Sequence, residues 1–167
     1  YPTTVLFGPS GVGKSSLLRA GVVRRLRDGD DEVLRRYGAR ETVVVCVTHW
    51  RDDAGAVVAQ AIHRGLSDAT SAAAALSTHE LDAESIVSFC DQHSLDLLLI
   101  LDQFEEYCYY HPVDDVEQAF VSELAVLVDP RTRCNLLISI REDAVAALDR
   151  FEGYLPGLLQ NNLRILY

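Results

Sequence analysis

Long apolar runs are missing from this 167-residue chain. None approaches the ~20 residues that a bilayer-crossing helix requires, so no membrane span is expected. The opening residues, Tyr1-Pro2-Thr3-Thr4, lack the basic segment followed by an apolar stretch that marks a secretory leader. Positive charge is scarce: 15 lysines and arginines stand against 25 aspartates and glutamates, a formal charge of −10. Binding a phosphate backbone takes clustered cations, so direct nucleic-acid binding by this domain alone is not expected. Arg19, Arg24, Arg25 and Arg27 do gather, with Arg35 and Arg36 soon after. Cations near a helix C-terminus and on a solvated face account for them. The four cysteines, at 46, 90, 108 and 134, form no C-x-x-C pair, and the five histidines are scattered, so zinc-binding spacing is absent. Cys46 and Cys134 sit in or beside apolar runs and read as reduced core residues of a cytoplasmic protein. No internal repeat or linker divides residues 1–167, which are expected to form a single domain with a sizeable core. The first and last residues both run into strands, which is what a domain of a longer chain would show.

What is present concentrates in Gly8-Pro9-Ser10-Gly11-Val12-Gly13-Lys14-Ser15, which fits the pattern G-x-x-x-x-G-K-[ST] at every defined position. A short apolar run, Thr4 to Phe7, precedes it as a strand, and Leu17, Leu18, Val22 and Leu26 follow at helical spacing. Strand, glycine-rich turn and helix together make a phosphate cradle. Successive backbone N–H groups in a tight turn converge on an anion. Glycines allow positive φ angles and close backbone approach, and the helix N-terminus adds its dipole. Lys14 is placed against the β- and γ-phosphates of a nucleotide and the Ser15 hydroxyl on Mg²⁺, with Ser16 beside it. The plainer alternative is a glycine-rich turn that merely starts a helix.

Further along, Asp28-Gly29-Asp30-Asp31 is expected to end the first helix, and Val43 to Val47 is a strand buried on both faces. An aspartate among His49-Trp50-Arg51-Asp52-Asp53 can cap a helix from Ala56 to Arg64. Trp50 is expected as a packed anchor and Arg51 as a surface cation, the alternative being contact with a ligand or neighbouring subunit. Ser67 to Ala83 is small and polar and shows no periodicity, as a connection would. A helix from Ala83 to His93, capped by Asp82, carries Ile86, Val87, Phe89 and Cys90. Leu97 to Leu101 is a strong strand signal. Asp114-Asp115-Val116-Glu117 has the form of a capping box and opens a helix through Val128 with Val116, Ala119, Phe120, Leu124 and Leu127 inward. Leu136 to Ile140 is a strand, Glu142 to Phe151 helical, and Leu163 to Tyr167 a final strand. Buried strands alternating with helices predict a parallel sheet covered on both faces, with ligands at the strands' carboxyl ends.

The second informative stretch is Leu101-Asp102-Gln103-Phe104-Glu105-Glu106. An aspartate ending an apolar strand can join Ser15 around Mg²⁺, directly or through water. Glu105 and Glu106 stand just beyond, where one of them, Glu105 in preference, can orient or deprotonate an attacking water. A solvated acidic loop is the alternative. Arg141 directly follows the strand ending at Ile140. It can sense a γ-phosphate or stabilise charge developing during transfer; otherwise it pairs locally with Glu142 or Asp143.

These residues carry a resemblance. Gly8 through Gly21 resembles the phosphate loop of the STAND NTPases, signal-transduction ATPases with numerous domains, and is most similar to the bacterial novel STAND group. Asp102-Gln103-Phe104-Glu105-Glu106-Tyr107 resembles that group's Mg²⁺ motif, and Ile140-Arg141-Glu142-Asp143 its sensor region. Phe151-Glu152-Gly153, Pro156-Gly157-Leu158 and Leu163-Arg164 are similar too, so the resemblance spans nearly the whole chain. It implies a P-loop NTPase fold of the additional-strand type: three layers, with a parallel five-stranded sheet of order 2-3-4-1-5. It also implies ATP and ADP with Mg²⁺ as cofactors, further domains of a parent protein as partners, and a homo-oligomer on activation. The implied role is a switch in which ADP holds a closed monomer and ATP exchange permits assembly, in signalling or antiviral defence.

Four functions share the binding residues. A regulatory, slowly hydrolysing ATPase is favoured over a motor or loader on nucleic acid, which the acidic balance disfavours. A phosphotransferase has little use for a water-activating glutamate. A scaffold that binds nucleotide without hydrolysis would not need Glu105 or Arg141.

Overall fold

Along each inner strand successive side chains go to opposite faces of one sheet, and both faces are apolar. The computed structural model describes residues 2–28, 41–111, 115–155 and 157–166. Its strands are β1 (Thr3–Gly8), β2 (Thr42–Val47), β3 (Asp96–Leu101), β4 (Cys134–Arg141) and β5 (Asn162–Arg164). They form one sheet in the order β2-β3-β4-β1-β5, with every neighbouring pair parallel. This is the order that the resemblance implies, and the inner strands are the continuous apolar runs expected of a parallel sheet covered on both faces. Val5, Val45, Leu99 and Ile138 face the larger core, while Leu6, Val44 and Ile100 face the smaller one.

The smaller core is closed by the helical run after β1. It consists of α1 (Lys14–Ser16), a π-helical stretch (Leu17–Val23) and α2 (Arg24–Asp28), which together bring Leu18, Val22, Val23 and Leu26 onto the sheet. The larger core is closed by α3 (Ala54–Ala69), α4 (Ala83–His93), α5 (Phe104–Tyr110), α6 (Asp115–Leu127) and a 3₁₀ segment (Glu142–Phe151). Caps set two helix starts: Asp53 accepts from the Ala56 N–H at 2.7 Å and Asp82 from the Ser85 N–H at 3.0 Å. Among the described residues no helix is long and apolar enough to cross a membrane.

Several expectations are corrected. Leu17 is 50% exposed rather than facing inward. The π-helical turn after the loop, with i→i+5 bonding, shifts the phase so that Leu18, Val22 and Val23 take the inner face. The helix expected from Ala56 to Arg64 runs from Ala54 to Ala69. The stretch after it is not a bare connection: Ser71–Ala75 is a 3₁₀ turn capped by Thr70, and Ala73 and Leu81 are buried in the core. Small side chains hid that pattern. In α6 Ala119 is exposed, and among the described side chains the inner face is Phe120, Val121, Leu124, Leu127 and then Val128, the side chain of Val116 lying outside the description. Glu142–Phe151 is helical as expected, in the 3₁₀ form. Gly29, Asp30 and Asp31 of the first helix stop, Arg35, Arg36, Asp114 of the capping box and Pro156 lie outside the described residues.

Candidate functional site

The strand register brings three carboxyl-terminal tips together. Gly8 pairs with Arg141 and Leu101 with Ile138, so β4 lies between the glycine-rich loop and the β3 tip bearing Asp102. A cavity of about 320 Å³ opens there. Ser10, Gly11, Gly13, Lys14, Ser15 and Ser16 line it from the loop, Asp102 and Glu105 from beyond β3, and Arg141 from β4. Glu106 is exposed and is not among the lining residues. Gly8, Pro9 and Val12 form the frame of the loop.

Local conformation explains the loop. Gly11 and Gly13 hold φ angles of 75° and 93°, a region closed to most side chains, and a Cβ on either would meet nothing within 4 Å. Their requirement is conformational, and the space above them is left for a ligand. Gly8 is different: a Cβ there would lie 2.5 Å from the Ile165 carbonyl oxygen, because the chain after β5 runs against the loop and the Ile165 N–H donates to the Phe7 carbonyl at 2.8 Å. Lys14 Nζ donates to the carbonyls of Gly8 and Pro9 at 3.0 and 3.2 Å, which folds the ammonium over its own turn. Lys14 is the only lysine in the chain.

The acid tip is held from behind. Trp50, fully buried, donates its indole N–H to the Asp102 carbonyl at 2.8 Å and packs edge-on to Phe104 and Tyr107 at 5.4 and 5.5 Å. The indole is thus the packed anchor, and Arg51 lies 5.3 Å from the Tyr110 ring. Gln103 takes φ 55°, an uncommon conformation for a side-chain-bearing residue, and starts α5 so that Glu105 turns back toward β4. There Glu105 Oε2 accepts from the Arg141 backbone N–H at 3.2 Å. The Arg141 guanidinium itself pairs with Asp143, Nε to Oδ1 at 3.0 Å and Nη2 to Oδ2 at 2.5 Å, while Glu142 pairs with Arg164.

Asp102 is 1% exposed. Its Oδ1 accepts from the Gln103 N–H at 3.0 Å, and its Oδ2 is buried without a hydrogen-bond partner. Buried carboxylate oxygens are normally paired, and this one, on a residue that lines the cavity, is left without a partner. Among the described residues no three His, Cys, Asp or Glu side chains gather as a metal cage. A nucleotide-bound magnesium needs none, because phosphates and waters fill most of its octahedron; one hydroxyl and one free carboxylate oxygen fit it. Sequence reasoning missed Gln103 and Ser139, both of which line the cavity. The available signal for Ser139 was a hydroxyl inside an apolar strand run.

A parallel sheet of this order, with the glycine-rich loop after β1 and an aspartate after β3, defines a P-loop NTPase domain. The chain belongs to the novel STAND NTPase 1 family, whose family model matches residues 1–166. No curated protein matches it. Among solved structures it is similar to the ORC2 protein of Aeropyrum pernix in its ADP form, with 15% identity, a TM-score of 0.60, and coverage of 98% of this chain and 42% of that one. The same protein in ADPNP–ADP complexes gives 14%, 0.56, 98% and 41%. A Walker-type ATPase of Pyrococcus abyssi gives 16%, 0.57, 99% and 49%. At such identities the likeness is one of fold, and this chain spans less than half the length of each neighbour.

Proposed function

We propose that this domain binds ATP and ADP with magnesium, hydrolyses ATP slowly, and acts as the nucleotide-driven switch of a larger cytoplasmic protein that oligomerises in signalling or antiviral defence. The observation that carries the reading is the convergence of Lys14, Ser15, Asp102, Glu105 and Arg141 on one cavity. The family supports an NTPase, and the ADP and ADPNP complexes of ORC2 support an adenine nucleotide.

In this reading the loop amides from Gly11 to Ser16 bind the phosphates. Lys14 exchanges the carbonyls of Gly8 and Pro9 for phosphate oxygens. Ser15, and Asp102 directly or through a metal-held water, would hold the magnesium, which would neutralise charge on the β- and γ-phosphates. Glu105 orients and deprotonates water, and its hydrogen bond to the Arg141 amide ties that base to the β4 tip. Arg141 has two alternative anions, the Asp143 carboxylate and a γ-phosphate. Only ATP supplies the second, so the choice gives the two nucleotides different affinities for two states, without which no switch operates. Reversing a 1:99 population takes about 5.5 kcal/mol of such difference. That is more than one half-exposed arginine provides, so contacts from other domains of the parent protein contribute to the switch.

A motor on nucleic acid would use the same pocket, but a formal charge of −10 stands against it. Calorimetry and phosphate release on two variants test the assignment. Lys14→Ala is expected to abolish ATP binding, and an unchanged affinity contradicts it. Glu105→Gln is expected to bind ATP like the parent and to lose turnover; equal phosphate release moves the role to Glu106 or elsewhere. Chromatography of nucleotide freed by denaturation completes the test, trapped ADP being the result a switch gives.

A further inference from the structure

Ser139 stands where the strand pattern calls for an apolar side chain. Its neighbours on β4, Ile138 and Ile140, face the larger core, and Leu137, in phase with Ser139, packs in the smaller one beside Leu6 and Ile100. The Ser139 side chain is 0% exposed and its Oγ has no hydrogen-bond partner. A buried hydroxyl without a partner is costly, and a hydrocarbon of similar size would remove that cost. The position is not remote from the chemistry. Ser139 pairs with Leu6 of β1 on one side, and on the other it follows Ile138, the partner of Leu101, just as Asp102 follows Leu101 at the end of β3. It lines the same cavity as Ser15 and Asp102.

Two buried polar atoms, Ser139 Oγ and Asp102 Oδ2, therefore lack partners, on residues that line one cavity. They do not bond to each other, and a group that offered a hydrogen bond to each would satisfy both. A water held in such a site needs two to four polar partners, and magnesium on a nucleotide keeps several waters of its own. Resting on the nucleotide site proposed above, we propose that Ser139 is a positioning residue for the hydrated magnesium of bound nucleotide, its hydroxyl accepting from a metal-held water that also donates to Asp102.

The test is the magnesium-dependent gain in ATP affinity, measured by calorimetry with magnesium and with chelator, together with the melting temperature of the nucleotide-free chain. Ser139→Ala removes one atom and no hydrogen bond seen in the structure, so its nucleotide-free melting temperature is expected to equal or exceed the parent's. Its affinity in chelator is expected to match the parent's, and its magnesium-dependent gain to shrink about tenfold, the scale of one hydrogen bond at a charged centre. Ser139→Thr, which keeps the hydroxyl, is expected to retain the gain. A full gain in Ser139→Ala overturns the proposal. So does a lowered melting temperature, which would assign the hydroxyl a structural bond. Absence of ATP binding by the parent would instead remove the nucleotide site itself, and this assignment with it.

Discussion

The glycine-rich loop and the β3 tip face the same cavity but are held in place by opposite means. The loop is local. Its shape comes from positive φ at Gly11 and Gly13, and its lysine bonds to carbonyls five and six residues away. The acid tip is assembled from distant sequence: the Asp102 carbonyl is bonded by Trp50, 52 residues away, and Glu105 by the Arg141 amide, 36 residues away. A local turn keeps its form as long as its backbone does. A tip held by tertiary contacts moves when those contacts move. In the switch proposed above, the loop would suit constant binding and the acid tip would suit reporting the state of the rest of the protein.

The largest expected effect separates the two regions through Trp50. Trp50→Ala should cost about 3–5 kcal/mol of stability, the usual range for a fully buried aromatic, and should leave the Asp102 carbonyl without its donor. Denaturant titration checks the first. The second is checked by ATP titration below the midpoint, where weakened magnesium dependence is expected together with nearly parental affinity in chelator. Equal loss of both would mean that the loop, too, depends on the distant packing. A smaller effect comes from Gly13→Ala, which places a side chain at φ 93° without a clash. The strain of about 1–2 kcal/mol should appear in the melt, with an affinity loss that is the same with and without magnesium. A loss confined to magnesium would contradict the assignment of this glycine to phosphate binding alone.

The contrast also explains what the sequence could reveal. Phosphate-loop residues are contiguous and constrained by backbone conformation, so their pattern can be read directly. Strands such as Thr42–Val47 and Asp96–Leu101 were legible because burial on both faces leaves long β-branched or leucine runs. Asp102 was legible as the end of such a run. The support behind it was not: nothing in His49-Trp50-Arg51 states that an indole will reach the backbone of residue 102. Leu17 was misplaced because a π-helical stretch breaks the α period just after the loop. Ala73 was missed because an alanine-rich turn leaves no contrast between buried and exposed positions. Ser139 was overlooked because pattern reading looks for what fits, and this hydroxyl matters by not fitting its strand.

The central claim is that loop and acid tip act on one magnesium-bound nucleotide. ATP titrated into the parent and into Asp102→Asn, each with magnesium and with chelator, tests it most directly. The expected result is a magnesium-dependent gain in the parent that falls at least tenfold in the variant, with chelator affinities alike. An equal gain in both chains would place the metal away from Asp102 and contradict the claim.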